Sequence, residues 1–413
     1  MSAAAAGPAL HGLLTPEAVR ERCNELWQLG EHGELPHFTL CEQALAGVCA
    51  RVVDELRRNY PDGEVPFHSR WRHFEHGGRD LAREALDRYA FTDADARARS
   101  RFDLAVVSVL LDAGAGSQWR YRDVASGASV GRSEGLALAS LRAFQRGLFS
   151  SVGGDPLRCD ASALGGLAAA RLGEAMQSGP DNELLGIAGR ANLLRRLGET
   201  MACHPAVFTR GGETRPGHLY DVLRGEARDG DLPARSILVA LLSHLGDIWP
   251  GGRTLGVLRA GDVGRHPRLH RRDASDGLVP FHKLSQWLAY SLIEPLEEAG
   301  IRVTEPDALT GLAEYRNGGL ILDCGLLALR DDDERGRTQD PTGTLVTEWR
   351  ALTVAALDRV AAGVREAAGL DATRLPLAAV LQAGTWSAGR RIAAELRPGG
   401  PPPLTLASDG TLF

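Results

Sequence analysis

The chain has 413 residues, 44% hydrophobic and 24% charged, which is enough apolar material for a sizeable core and more length than one domain usually takes. Its net charge of -6, with arginines scattered throughout, offers no basic field for a duplex and argues against nucleic acid as the main partner. The six dispersed cysteines without a CxxC read as reduced thiols, and there is neither a leader pattern nor a membrane-length apolar run. The expectation is a cytoplasmic protein with no membrane partner.

Residues 1–14 read as a flexible start, and residues 15–413 as a single large α-rich unit or as two lobes divided near 205–275. Thr15-Pro16 offers an N-cap and a first-turn proline for a helix through Val19, Cys23, Leu26 and Trp27 that stops at Gly30. A second helix is predicted from about Thr39 to Arg58. The stretch Val65–Asp80 is aromatic and basic, and Gly77-Gly78 marks a loop within it. Helices follow over Arg79–Tyr89 and Asp95–Leu111. Asp103 and Asp112 are nine residues apart, half a turn out of phase, so they do not share a face. Asp112 sits near a helix C-terminus, where the macrodipole disfavours a carboxylate that has neither a partner nor a purpose. Further helices are predicted from Ser133, over Ala161–Met176 and Ala188–Cys203, and from Pro233 to Leu245. The arginine-rich segment Arg259–Asp273 reads as a solvated loop.

Asp276–Gly325 is the chemically densest stretch. Leu284, Trp287, Leu288 and Leu292 recur at the spacing of one buried helix face, while Lys283, Gln286, Tyr290 and Glu294 fall on another. Beyond Gly311 comes Glu314-Tyr315-Arg316-Asn317-Gly318-Gly319, a carboxylate, a phenol and a guanidinium ahead of a glycine pair that permits close backbone approach. A little β-structure is expected near Leu320. A long helix is predicted from Thr347 to about Ala368 and a last one from Leu377 to Leu396, with a short strand in the tail. Glu348 and Arg350 lie about 200° apart on their helix and should pair with other elements. The fold class is mainly α with a few short strands.

The strings FHSRWRHFEHGGRD, FDLAVVSVLLDAGAGSQWRY, GRSEGLALAS, VPFHKLSQWLAYSLIEPL, EYRNGG and SDGTLF, in this order from about Arg20 to Phe413, resemble the fourth protein of the uracil-catabolism (Urc) family of fungi and bacteria. That resemblance implies a pathway that opens uracil at the ribonucleotide level and ends with urea. A more remote similarity joins FHKLSQ (Phe281–Gln286), EYR (Glu314–Arg316) and EWRALT (Glu348–Thr353) to the queuosine-salvage N-glycosidases. It implies a multi-helix, DNA-glycosylase-like body. It also implies a catalytic carboxylate at Glu314, one methylene longer than the aspartate of those enzymes, a phosphate or hydroxyl contact at Lys283, and supporting roles for Glu348 and Arg350.

The chemistry is consistent with such a set. Breaking a ribosyl C–N bond builds positive charge on the sugar, so a carboxylate should stabilise that charge and orient a water. Glu314 and Asp112 are the two candidates. Tyr315 or Gln286 could hydrogen-bond a leaving group, and Lys283, Arg316 or Arg350 could grip a phosphate. His282, Trp119 and Asp103 complete the candidate binding residues, together with Glu348. The residues alone equally fit bland roles: an exposed lysine, structural ion pairs, a loop carboxylate and tryptophans packed in a core.

The expectation is therefore a hydrolase that releases urea and ribose (5-phosphate) from a ribosylurea-like small molecule, with no cofactor and no metal. Two alternatives stay open. One is a metal-dependent amidohydrolase using His68, His73 or His76. The other is a non-catalytic protein that binds a pathway intermediate.

Overall fold

The computed structural model describes residues 3–116, 118–249, 253–255 and 258–407. It is 56% helical, with short two-stranded sheets, and so mainly α. The chain divides into two compact units. One comprises Met1–His68, Gly251–Gln286 and Glu305–Ala407; the other comprises Ser69–Pro250, Trp287–Thr304 and Ser408–Phe413. The terminal SDGTLF motif and the Gly251-Gly252 pair lie outside the described residues. No described helix is long and apolar enough to cross a membrane.

The first unit is built around the helix Thr344–Ala368, on which every residue from Leu345 to Leu357 is buried. A helix buried on all sides must be covered on all sides. The helices Pro16–Glu31, Leu45–Asn59 and Tyr315–Asp323 provide that cover. Gly369, at φ 65°, ends the central helix in the left-handed conformation that glycine adopts without a Cβ penalty. The strands Phe38–Leu40 and Leu327–Leu329 pair antiparallel, as do Val263–Arg265 and Leu278–Pro280. In the tail, Thr405–Leu406 pairs parallel with Thr338–Gln339.

Several elements differ from the sequence expectation. The first residues form a helix, Ala3–Leu13, because Leu10 and Leu13 bury themselves against Ala260, Val263 and Leu278. The helix expected from Thr39 starts at Leu45, since Phe38–Leu40 is taken into a sheet first. Arg259–Asp273 contributes strand residues and a buried His266, so it is not a solvated loop throughout. The expected β-structure near Leu320 is instead the helix Tyr315–Asp323. Its glycines are explained by packing: a Cβ on Gly318 would lie 2.8 Å from the Trp349 ring. The Trp349 indole donates to the Gly318 carbonyl at 3.0 Å.

The second unit centres on the helix Ala94–Leu110, capped by Asp93, whose side chain accepts from the Ala96 amide at 2.7 Å. It packs against Arg132–Gln145, Leu219–Glu226 and Ile187–Cys203. The single helix expected over Ala161–Met176 is two, Ala161–Gly165 and Ala169–Ala175, broken after the glycine pair Gly165-Gly166.

Candidate active site

In the first unit Glu314 is the N-cap of the helix Tyr315–Asp323. Its carboxylate accepts from the amides of Arg316 at 2.7 Å and Asn317 at 2.6 Å, satisfying two of the donors that every helix start leaves open. The cap fixes the side chain rotationally. Desolvation by the surrounding protein pushes the carboxyl above its ordinary range, and it outweighs the two amides, Lys283 and Arg316, all of which favour the charged form. Lys283 therefore lies within electrostatic reach of Glu314, although 31 positions separate them in sequence.

Lys283 is held by a residue that the sequence reading missed. Asp262 accepts the Lys283 amide at 3.0 Å and a two-pronged guanidinium contact from Arg350, at 2.7 Å to each oxygen. Its main-chain carbonyl takes the amides of Phe281 at 3.0 Å and His282 at 3.2 Å. Asp262 thus ties the start of the helix Lys283–Glu298 to the central helix Thr344–Ala368. Desolvation works against its charge. Arg350, the Lys283 amide and His282 outweigh it and hold the carboxyl down at about 2. The Arg350 guanidinium also lies 4.1 Å over the Phe281 ring, a cation–π contact in a partly desolvated setting.

His282 adopts φ 48°, a left-handed conformation that costs a non-glycine residue energy and collects at functional sites. The neighbouring Gly261 takes φ 70°, and a Cβ there would meet the imidazole at 3.5 Å, an ordinary contact, so its backbone conformation and not crowding calls for glycine. Its Nε2 donates to the Leu13 carbonyl at 2.9 Å, and burial pushes its pKa down, so the ring is neutral at pH 7. Gln286 donates to the Thr310 hydroxyl at 2.7 Å. Arg316 donates to the Gly400 carbonyl at 3.1 Å and stacks 4.9 Å over the ring of Tyr315. Asn317 donates to the Leu312 carbonyl at 3.2 Å, leaving its buried Oδ1 without a hydrogen-bond partner among the described residues.

Glu348 turns to a different duty. Fully buried, it accepts from the amides of His37 at 3.2 Å and Phe38 at 2.8 Å and from His266 at 3.2 Å, which pins the Phe38–Leu40 strand to the central helix. Its oxygens are occupied inside the protein.

Residues 12–413 match a family described as a protein of unknown function, DUF1688. The chain belongs to the DUF1688 family. It is 35% identical over 409 residues to Protein urg3 of Schizosaccharomyces pombe, covering 97% of this chain and 98% of that protein. It is 33% identical over 432 residues to Uracil catabolism protein 4 of Lachancea kluyveri, covering 96% of this chain and 97% of that protein.

The remaining candidates of this DUF1688 chain belong to the second unit. Asp103 is wholly buried and spoken for: Arg215 donates to it at 2.9 Å, the Cys159 amide at 3.0 Å and the Gly217 amide at 2.6 Å. Trp119 is a core residue, its indole donating to the Met176 carbonyl at 3.0 Å. Asp112 pairs with Arg70 at 2.9 Å. The histidines weighed for a metal have other neighbours: His68 contacts Gln382 at 2.9 Å, and His73 contacts Arg70 at 3.0 Å. Among the described residues no three His, Cys, Asp or Glu side chains gather as metal ligands.

Sequence reasoning named Lys283, Glu314 and Arg350 as candidates and missed Asp262, which joins two of them. Its one local signal is a Gly-Asp pair between two short strands, Leu258–Gly261 and Val263–Arg265.

Proposed function

We propose that this chain is a hydrolase of uracil breakdown that cleaves the N-glycosidic bond of a ribosylurea, preferably 5-phosphorylated, to give urea and ribose 5-phosphate. The observation that carries the reading is the capped Glu314 carboxyl. Its surroundings raise its basicity, and a lysine held by the Asp262–Arg350 pair lies within reach. Support for the pathway comes from the near full-length similarity to a protein named for uracil catabolism. Support for the reaction comes from the three motifs that resemble nucleoside-type N-glycosidases, since these supply Lys283, Gln286, Glu314, Tyr315, Arg316 and Arg350.

In this reading the C–N bond lengthens first and the sugar becomes cationic at its anomeric carbon. Glu314, anchored by two amides, stabilises that charge and accepts a proton from the attacking water, for which a raised pKa suits it. Water supplies the oxygen of the new hydroxyl, and the leaving urea takes the proton. Lys283 holds the phosphate, whose binding energy orients the sugar against the carboxylate. In this reading Tyr315 or Gln286 hydrogen-bonds the ureido carbonyl or the sugar.

The test is incubation of the purified chain with ribosylurea 5-phosphate and assay of urea. Release that depends on Glu314 supports the reading. Absence of urea, or equal release by Glu314→Gln, removes it.

A further inference from the structure

The second unit holds a charged cluster that the Glu314 reading does not use, and three of the strings singled out from the sequence meet there. Arg70 comes from FHSRWRHFEHGGRD, Ser108 and Asp112 from FDLAVVSVLLDAGAGSQWRY, and Ser133 and Ser140 from GRSEGLALAS. Arg70 is completely buried and Asp112 keeps 8% of its side-chain exposure. The guanidinium is immobilised through two of its three nitrogens. Nε donates to Ser108 at 2.8 Å, and Ser108 is braced by Ser140 at 2.7 Å. Nη1 faces the Ser133 carbonyl at 3.2 Å, His73 Nδ1 at 3.0 Å and Asp112 Oδ2 at 2.9 Å. A guanidinium accepts nothing, so His73 Nδ1 is the lone-pair nitrogen and its ring carries the proton on Nε2.

Two atoms of this pair are left over. Arg70 Nη2 and Asp112 Oδ1 are both buried, and neither has a hydrogen-bond partner among the described residues. One belongs to a guanidinium and the other to the carboxylate that touches it through Nη1 and Oδ2, so one ion pair on a locked frame carries both an unmatched donor and an unmatched acceptor. Leaving such atoms dry is costly, and a pair that served packing alone could be replaced by apolar side chains. The fold goes further to keep it. Asp112 follows the C-terminus of the helix Ala94–Leu110, where a carboxylate is disfavoured. Arg190 offsets that by donating to the carbonyls of Leu111, Ala113 at 3.2 Å and Gly114 at 2.8 Å around it.

We propose that Arg70 and Asp112 form a binding site for a cis-amide edge, an adjoining carbonyl and N–H such as a uracil ring or an open-chain ureido group presents. The carbonyl accepts from Arg70 Nη2 and the N–H donates to Asp112 Oδ1. This pairing matches both leftover atoms with one ligand and discriminates against anything lacking either half. It stands independently of Glu314 and of any bond cleavage.

The experiment is a ligand-observed NMR titration of the full-length chain with two matched pairs, uracil against 1,3-dimethyluracil and methylurea against tetramethylurea. The methylated partners keep the carbonyl and lose the N–H. The wild type should bind at least one N–H-bearing probe about tenfold more tightly than its methylated partner, as expected for one charge-assisted hydrogen bond. Which pair discriminates identifies the ring or the open chain as the source. The volume-conserving double variant Arg70→Met/Asp112→Leu should lose the discrimination.

No discrimination in the wild type, or discrimination that survives in the folded double variant, overturns the site. If that variant does not fold, crystals of the unmodified protein soaked with the better probe decide: ligand atoms between Nη2 and Oδ1 support the site, and water alone overturns it. Because binding is read and not turnover, loss of urea release leaves this inference standing. Intact urea release without discrimination ends this inference alone.

Discussion

Replacing Asp262 with asparagine removes the charge that joins Arg350 to the start of the Lys283 helix and changes almost no volume. A carboxyl held at about 2 in the folded chain, against an ordinary 3.8, is worth about 2 kcal/mol at neutral pH. Leaving Arg350, 8% exposed, without its counter-charge adds to that, and breaking buried pairs costs about 3 to 5 kcal/mol. Because asparagine retains one acceptor oxygen, the expected loss is about 2 to 4 kcal/mol at pH 7.

The sign of the pH dependence follows from the depressed pKa. The Asp262 contribution is complete above about pH 4 and is lost as pH falls toward 2, with about half gone by pH 3. Urea unfolding of wild type and Asp262→Asn at pH 7 and pH 3 should therefore show a gap that narrows by about 1 kcal/mol in acid. A gap below about 0.5 kcal/mol at pH 7, the range of an ordinary surface substitution, would refute the reasoning. So would a gap of the same size at both pH values.

Glu314→Gln keeps one capping oxygen, so the chain should fold and bind while urea release falls about 10²- to 10⁴-fold; undiminished release removes Glu314 from the chemistry. Its stability should move with pH in the direction opposite to Asp262. The wild type carries a cost as pH rises above the ordinary carboxylate range through the raised pKa, so glutamine gains on it between pH 4 and 7 in unfolding measurements. Lys283→Ala should weaken a 5-phosphorylated ligand about 10- to 100-fold and its dephosphorylated form less than about twofold, and equal losses by calorimetry would show that Lys283 does not read phosphate. Asp103→Asn should cost about 3 kcal/mol in unfolding by depriving Arg215 of its counter-charge and one of the two amides of its acceptor, with ligand affinity unchanged; a folded variant that has lost ligand instead would return Asp103 to the site.

What could be read from the sequence divides by range. The helix Thr344–Ala368 was legible because its apolar positions recur around the whole cylinder, and the start at Pro16 because Thr15 and the proline are adjacent. The segment at Leu320 misled because two glycines beside an apolar run look like a loop entering a strand. They are helical because Gly318 must admit Trp349, a residue 31 positions away whose packing outweighs glycine's poor helix propensity.

Electrostatic partners obey the same limit. Asp262 and Arg350 are separated by 88 positions, and nothing within a window of either one announces the other. Asp112 was a partial exception: a carboxylate just past a helix C-terminus is locally wrong, and a local wrongness is visible without knowing its remedy. The remedy is Arg70, fixed by Ser108 of the same helix and by Ser140 of a further segment. A residue that violates a local rule therefore points to a long-range compensation, whereas one that satisfies every local rule, as Asp262 does after Gly261, can carry an equally costly pair without a trace in the sequence. Glu314 shows the mixed case. Its capping contacts are local, to the amides of Arg316 and Asn317, yet no helix start was read there, while its raised basicity comes from protein folded around it and no local pattern encodes that.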